Sequence, residues 1–408
     1  MKIWIKILVG SLLGVALGAL LPAGPKSMEL FSFLSRLFIQ IGRYVLLPLT
    51  FASLAIGTFE LRRERLLLPT YGRLILYLLG STVLLVIVGI LTVIIFSPQR
   101  IPIPVAQETA MRLPGVKETL LTVFPSNLFQ VLVGPGQLLL PLAVLAFLLG
   151  LNLAFDLRIT TPVVELLDSL NRIFYHLNSL VCELFGFAMI AVAAYFLMTL
   201  RQYDLGMFKQ IIMILTIDSG LVVFAVYPLV LYFVGERDNP YKWLYAVIAP
   251  ALVGFFSGDH YLSVTMLAKH GHENLGVPRR VGSAAYTLFG IFGRAGTALV
   301  TAAGFLLVLK SYSTLEVSFL QVLWTILFTT LISLALGSVP GLGAYVALST
   351  LCGIYGRGIQ EGYLILKPIA PLLVSYGVLL DVLASAFVSL LVARQQKVWR
   401  EVDRFDFV

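Results

Sequence analysis

Long apolar stretches separated by short polar ones set the rhythm of this chain. Apolar runs occupy roughly residues 1–24, 30–58, 69–97, 125–155, 164–200 and 206–235, each near or above the ~20 residues that a helix needs to cross a bilayer. The first, "MKIWIKILVGSLLGVALGALLPAG", has the charged start and apolar run of a signal peptide. Its length, and the lack of a polar mature region after it, predict an uncleaved first helix instead.

From about residue 240 the pattern changes. Apolar segments are interrupted by small or polar residues, at "VGFFSGDHYLSVTM" (253–266) and "LALGSVPGLGAYVAL" (334–348). Each break leaves arms of about half a span, and irregular backbone at membrane depth survives only where protein buries it or it lines a cavity. The expectation is two re-entrant hairpins, at about 241–272 and 316–355, each followed by an apolar helix, at about 278–309 and 361–394. Paired interrupted segments of this kind point to the binding site of a transporter, at the interface of two inverted repeats.

Composition fits that pattern. Hydrophobic residues make up 59% of the 408 and charged residues 12%, and the mean hydropathy is +0.95; an ordinary soluble domain is roughly half apolar and a quarter charged. The predicted class is an all-α polytopic membrane protein. The formal charge of +8 sits in loops between spans, with no aromatic-interleaved patch for nucleic acid. It instead sets topology: Lys and Arg are richer on the segments that would be cytoplasmic if both termini were inside, with "ELRRERLLL" (60–68) the firmest cluster,. Cys182 and Cys352 lie in apolar or near-apolar stretches and predict packing. His176, His270 and His272 lack the spacing of a zinc site, and neither a Gly-x-Gly-x-x-Gly nor a P-loop is present. No cofactor, resident metal or enzyme activity is expected.

Several motifs, in order, resemble the dicarboxylate/amino acid:cation symporters, the glutamate transporter family. "VLLPLTFASLAIGTF" (45–59) resembles that family's second-helix signature. "PSNLFQVL" (125–132) with "LAFLLGLNLA" (145–154) resembles its fourth segment. "VPRRVGSAAYTLFGIFGRAGTAL" (277–299) aligns without a gap on the segment ending Asn-Met-Asp-Gly-Thr-Ala-Leu, and "SVTMLAKHG" and "VPGLG" match the two hairpins. The resemblance implies a homotrimer of eight-helix protomers with two hairpins and inverted repeats, embedded in the plasma (inner) membrane. It also implies an elevator mechanism, in which a transport domain (70–120 and 204–408) moves against a scaffold and trimerisation domain (1–69 and 121–203).

The departures bear on function. Where the family's seventh helix supplies sodium ligands from Asn-Met-Asp, this chain has Gly293, Arg294 and Ala295, followed by the retained Gly296 and Thr297. A hard cation wants oxygen ligands and negative charge, so sodium coupling is expected to be altered or lost, with sodium or a proton as the candidate coupling ion. The serine-rich tip of the family's first hairpin reads Ser257, Gly258, Asp259, His260. The family's eighth-helix ladder of aspartates and a substrate-binding arginine is reduced to Asp381, whose register falls on the arginine or the asparagine of that ladder, positions one turn apart on one face. The expected substrate-binding set is therefore Ser257, Gly258, Asp259, Arg294, Thr297, Val339, Pro340, Gly341, Asp381 and Ser385. Arg294, Asp381, Asp259 and His260 are the expected coupling charges.

Arg294 is the sharpest signal, because it interrupts a run with no other charge between Arg280 and Lys310. An arginine at the centre of a membrane helix costs roughly 2.5 to 3.5 kcal/mol on insertion scales, so it is placed there for a reason. Three accounts are open: a salt bridge with Asp381 or Asp259, a tethered cation standing where sodium would bind, or a clamp for a substrate carboxylate. The first two are compatible. His260 beside Asp259 is expected either to complete a hydrogen-bonded tip or to couple transport to protons. Glu183 and Asp218 are intramembrane acids with structural or proton-relay readings, and Tyr77 and Ser81 fall on third-helix positions that are polar in the family. The leading function is secondary active transport of a small amino acid or dicarboxylate. The alternatives are an inactive or anion-conducting family member and, from another class, an intramembrane aspartyl hydrolase using Asp259 and Asp381.

Overall fold

The computed structural model describes residues 2–408 apart from 23, 103–112, 126, 134–138, 235–240, 314–316, 339 and 340. The described chain is helical throughout and contains no strand, and seven of its helical segments are long and apolar enough to cross a membrane.

The chain begins with α1 (Ile3–Leu20), then α2 (Pro25–Tyr44) and α3 (Leu46–Arg63), which form one span stepped at Val45. Pro48 explains the step: it has no N–H to give the carbonyl of Tyr44, so the ladder breaks one turn before it. Helix α4 (Leu67–Phe96) follows, then α5 (Val116–Val123), α6 (Gln130–Val133) and α7 (Leu139–Leu153). The stretch expected as one helix over 125–155 is thus described as two separate pieces, the longer of them only 15 residues. Helix α8 (Leu157–Leu200) runs for 44 residues, starting ahead of the expected 164 because Asp156 caps it by accepting the N–H of Arg158,.

Prolines also shape the segments after α8. Between α9 (Lys209–Leu221) and α10 (Tyr227–Val234) the helix widens into a π-turn over Val222–Val226. Pro228 leaves the Phe224 carbonyl without its helical donor, and the Tyr241 hydroxyl takes it at 3.3 Å. Between α11 (Lys242–Ala246) and α12 (Ile248–Ser257), Pro250 frees the carbonyl of Ala246, and Asn274 donates its amide N–H there at 3.2 Å. In both places the orphaned acceptor finds a side-chain donor.

Helix α13 (His260–Glu273) pairs with α12 around the bend at Gly258, whose φ of +60° is easy only for glycine,. The helix expected over 278–309 is two helices, α14 (Arg279–Phe292) and α15 (Ala295–Tyr312), parted at Gly293 and Arg294. A Cβ on Gly293 would lie 2.7 Å from the Phe289 carbonyl oxygen, so only glycine fits this interruption. Helix α16 (Phe319–Ala335) opens with a reciprocal Ser318–Gln321 capping box,. It is followed by a short 3₁₀ turn, then α17 (Gly343–Tyr355), a second 3₁₀ stretch and α18 (Ala370–Gln395).

Burial is greatest in the late helices. In the most apolar stretch of each span, 94% of positions are buried for α14–α15 and 89% for the α18 segment, against 33% for α1. The two interrupted pairs and α4 pack around α15 and α18, so the late helices form the centre and the early ones their flank.

Candidate functional site

The interruption between α14 and α15 exposes helix ends inside the molecule, and the polar residues gather there. The first turn of α15 has amide N–H groups with no helical acceptor. Asp381, in mid α18 and fully buried, supplies one: its carboxylate accepts the Thr297 N–H at 2.9 Å and the Thr297 hydroxyl at 2.6 Å. An anion at a helix N-terminus is stabilised by the aligned peptide dipoles. The two backbones must nearly touch for this to happen. A Cβ on Gly296 would lie 2.5 Å from the Gly377 carbonyl oxygen and 2.7 Å from the Asp381 nitrogen. Gly377 stands one turn before Asp381, so the glycine pair delivers the carboxylate.

Arg294 caps the same break and is 1% exposed. Its guanidinium is within electrostatic reach of Asp381, Tyr261 and Asp259. A Cβ on Gly343 would lie 3.7 Å from its Nη1, which puts the guanidinium beside the first turn of α17. That helix is preceded by Leu342, in the left-handed region (φ +59°), and has no side-chain cap. The α12–α13 pair meets this region too, as the Tyr261 hydroxyl donates to the Gly337 carbonyl at 2.8 Å.

At the α12–α13 bend, Ser257 accepts the Asp259 N–H at 3.1 Å and donates to Val253. Asp259 caps α13 through the Leu262 N–H at 2.8 Å and pairs with Arg43 of α2. Of the two acids expected beside Arg294, Asp259 thus has an ion pair of its own, with Arg43. The Asp259 carboxylate is taken by Arg43 because the helix cap turns it toward α2. For Asp381, Thr297 holds both oxygens, so the expected salt bridge is a charge facing a charge across a hydrogen-bonded carboxylate. His260 does not complete the tip through Asp259. Its Nε2 bonds the Phe289 carbonyl at 2.9 Å and its Nδ1 faces Asp381 at 3.6 Å.

Ser385 donates to the Asp381 carbonyl at 2.7 Å and lines a small cavity of about 10 Å³ with Ser81, Thr82, Gly293 and Ala295. Ser81 bonds the Tyr227 hydroxyl, and Thr82 and Ser385 donate to the Leu78 and Asp381 carbonyls. No carboxylate lines it, so it offers a cation oxygen ligands but no balancing negative charge, and no His/Cys/Asp/Glu cluster for a metal occurs among the described residues.

The fold therefore brings together Asp259, His260, Arg294, Thr297, Asp381 and Ser385, with Ser257 and Gly258 at the adjacent bend. Gly341 lies in the turn before α17, with no atom within 4 Å of where its Cβ would be, and Val339 and Pro340 lie outside the described residues. Tyr77 bonds Gln395 at 2.7 Å, away from this centre. Glu183 is on the exposed face of α8, whereas Asp218 is wholly buried in α9. Sequence reasoning missed Arg43, although it carried the signal used for Arg294, a cation inside an apolar run. Asp259 and Asp381 have separate partners and so are not arranged to share a proton as an aspartyl hydrolase requires.

The sequence profile of the sodium:dicarboxylate symporter family matches residues 3–395. The proton/sodium-glutamate symport protein of Geobacillus stearothermophilus is 21% identical over 374 residues, covering 87% of this chain and 85% of that protein. Its counterpart in Bacillus subtilis (strain 168) is 22% identical over 370 residues, covering 87% and 84%.

Proposed function

The chain belongs to the sodium:dicarboxylate symporter family, whose members are transporters and not enzymes, and from that membership we propose that it carries a small amino acid or dicarboxylate across the membrane with Arg294 in place of a bound sodium ion. The observation that carries this reading is the placement of Arg294. A permanent cation sits at the helix break, beside a neighbouring cavity that no carboxylate lines. The guanidinium also lies beside the uncapped start of α17. Half-helix N-termini of this kind favour a carboxylate, so the same group serves as cation surrogate and as anion clamp.

The rest of the reading is the family's architecture: a homotrimer in the plasma membrane, both termini cytoplasmic, with hairpins at 241–272 and 316–355. A transport domain of 70–120 and 204–408 slides as an elevator on a scaffold of 1–69 and 121–203. The packing of α4 against α15 and α18, and of α1 and α2 against α8, supports that division.

The test is uptake of labelled L-aspartate and L-glutamate into liposomes holding the purified protein, under a sodium gradient or a proton gradient alone. Uptake indifferent to sodium and abolished by Arg294→Met is expected. Sodium-driven uptake would overturn the tethered-cation reading.

A further inference from the structure

His260 is wholly buried, and its two ring nitrogens have different neighbours. Nε2 lies 2.9 Å from the Phe289 carbonyl oxygen. A carbonyl only accepts, so Nε2 carries a hydrogen, and a neutral imidazole then has a bare lone pair on Nδ1. That nitrogen faces Oδ2 of Asp381 at 3.6 Å and has no hydrogen-bond partner among the described residues. Two acceptors face each other, and an orphaned buried polar atom of this kind calls for an explanation. One proton on Nδ1 would turn the gap into a charge-assisted hydrogen bond.

The surrounding charges decide when that proton is held. Arg294 at the start of α15 is permanently positive, and Asp381 on α18 is negative. Asp259 on α13 is matched by Arg43 on α2. Tyr261 on α13 donates to Gly337, and Tyr286 on α14 bonds Ser389. Lys269 and Glu273 lie more than two turns further along α13 and engage Ser179 and Tyr175 of α8. With imidazole neutral the centre sums to zero. Adding a proton leaves a net positive charge in a medium that tolerates none uncompensated, and a bound carboxylate restores neutrality.

We infer that Nδ1 of His260 is the seat of a co-transported proton, filled when an anionic substrate lies beside Arg294 and emptied when that substrate leaves. The inference rests on the transport reading above and adds a stoichiometry: one proton for each net negative charge carried. For L-aspartate or L-glutamate this means one proton per molecule.

The first test needs no substrate. Full-length protein labelled with ¹⁵N-histidine, in lipid nanodiscs, is followed by NMR over about pH 5 to 8, where imidazoles switch charge. His260→Gln identifies the resonance. At the upper end the ring should be neutral with its proton on Nε2. Arg294→Met should fill Nδ1 at higher pH than in the parent, and Asp381→Asn should fill it only at lower pH. A neutral ring with its proton on Nδ1, or a titration that Asp381→Asn leaves unmoved, overturns the seat. If Arg294→Met fails to fold, the Asp381→Asn comparison decides alone.

The second arm measures protons entering liposomes per L-aspartate. The parent should carry about one, and the L-aspartate that still enters through His260→Gln should carry none; one proton through both proteins overturns the proposal. Absence of L-aspartate transport by the parent would count against the substrate reading, while the NMR arm still judges the seat.

Discussion

Thr297 holds Asp381 with two hydrogen bonds, its backbone N–H at 2.9 Å and its hydroxyl at 2.6 Å, and so joins the first turn of α15 to the middle of α18. The carboxylate also faces the guanidinium of Arg294. Removing one member of a buried, mutually compensated set leaves the other charge stranded, at a cost of roughly 3 to 5 kcal/mol. Asp381→Ala should lose about that much stability in denaturant unfolding from detergent. Asp381→Asn, which keeps an acceptor for Thr297, should lose less; an equal loss would show that the charge alone matters.

Gly296 contributes no functional group, yet it determines whether this contact exists. A Cβ there would stand 2.2 Å from the Leu380 Cβ and 2.7 Å from the Asp381 nitrogen. Overpacking of this kind costs about 1 to 3 kcal/mol, and the backbones must separate to relieve it. Gly296→Ala should abolish L-aspartate uptake while the protein still inserts. Gly80→Ala on α4, with open space around its Cβ position, should leave uptake unchanged.

The bond between α1 and α8 rests on the same principle. Cβ atoms on Gly10, Gly14 and Gly18 would meet α8 backbone oxygens at 2.2, 2.5 and 2.8 Å, the close approach that small residues allow in membrane helices. Gly14→Leu should detach α1 and raise hydrogen exchange along α1 and the facing part of α8, with α14, α15 and α18 unaffected. Exchange unchanged in α1 would mean that the helices can separate without loss.

Arg43 and Asp259 join α2 to the α12–α13 bend, and Asp259 also caps α13. Asp259→Ala removes a cap worth about 1 kcal/mol in addition to the pair, so it should destabilise more than Arg43→Ala. In a double-mutant cycle the two should couple by at least about 0.5 kcal/mol. Additive losses would show the ion pair to be without energetic consequence.

Composition and apolar run length fixed the all-helical membrane class, and small or polar interruptions marked the breaks near 258 and 340, whereas the steps at Val45 and Gly293 fell inside stretches read as single helices. The same logic picked out Arg294 and Asp381: an isolated charge in an apolar run is legible since the bilayer makes it costly wherever the helix packs. Partners were not legible. That Asp381 meets Thr297, that Asp259 turns to Arg43 and that His260 reaches past its neighbour to Phe289 and Asp381 are contacts 29 to 216 residues apart in sequence. Which acceptor a buried donor finds depends on helix rotation and on where glycines let backbones meet, and only the packed tertiary structure sets those.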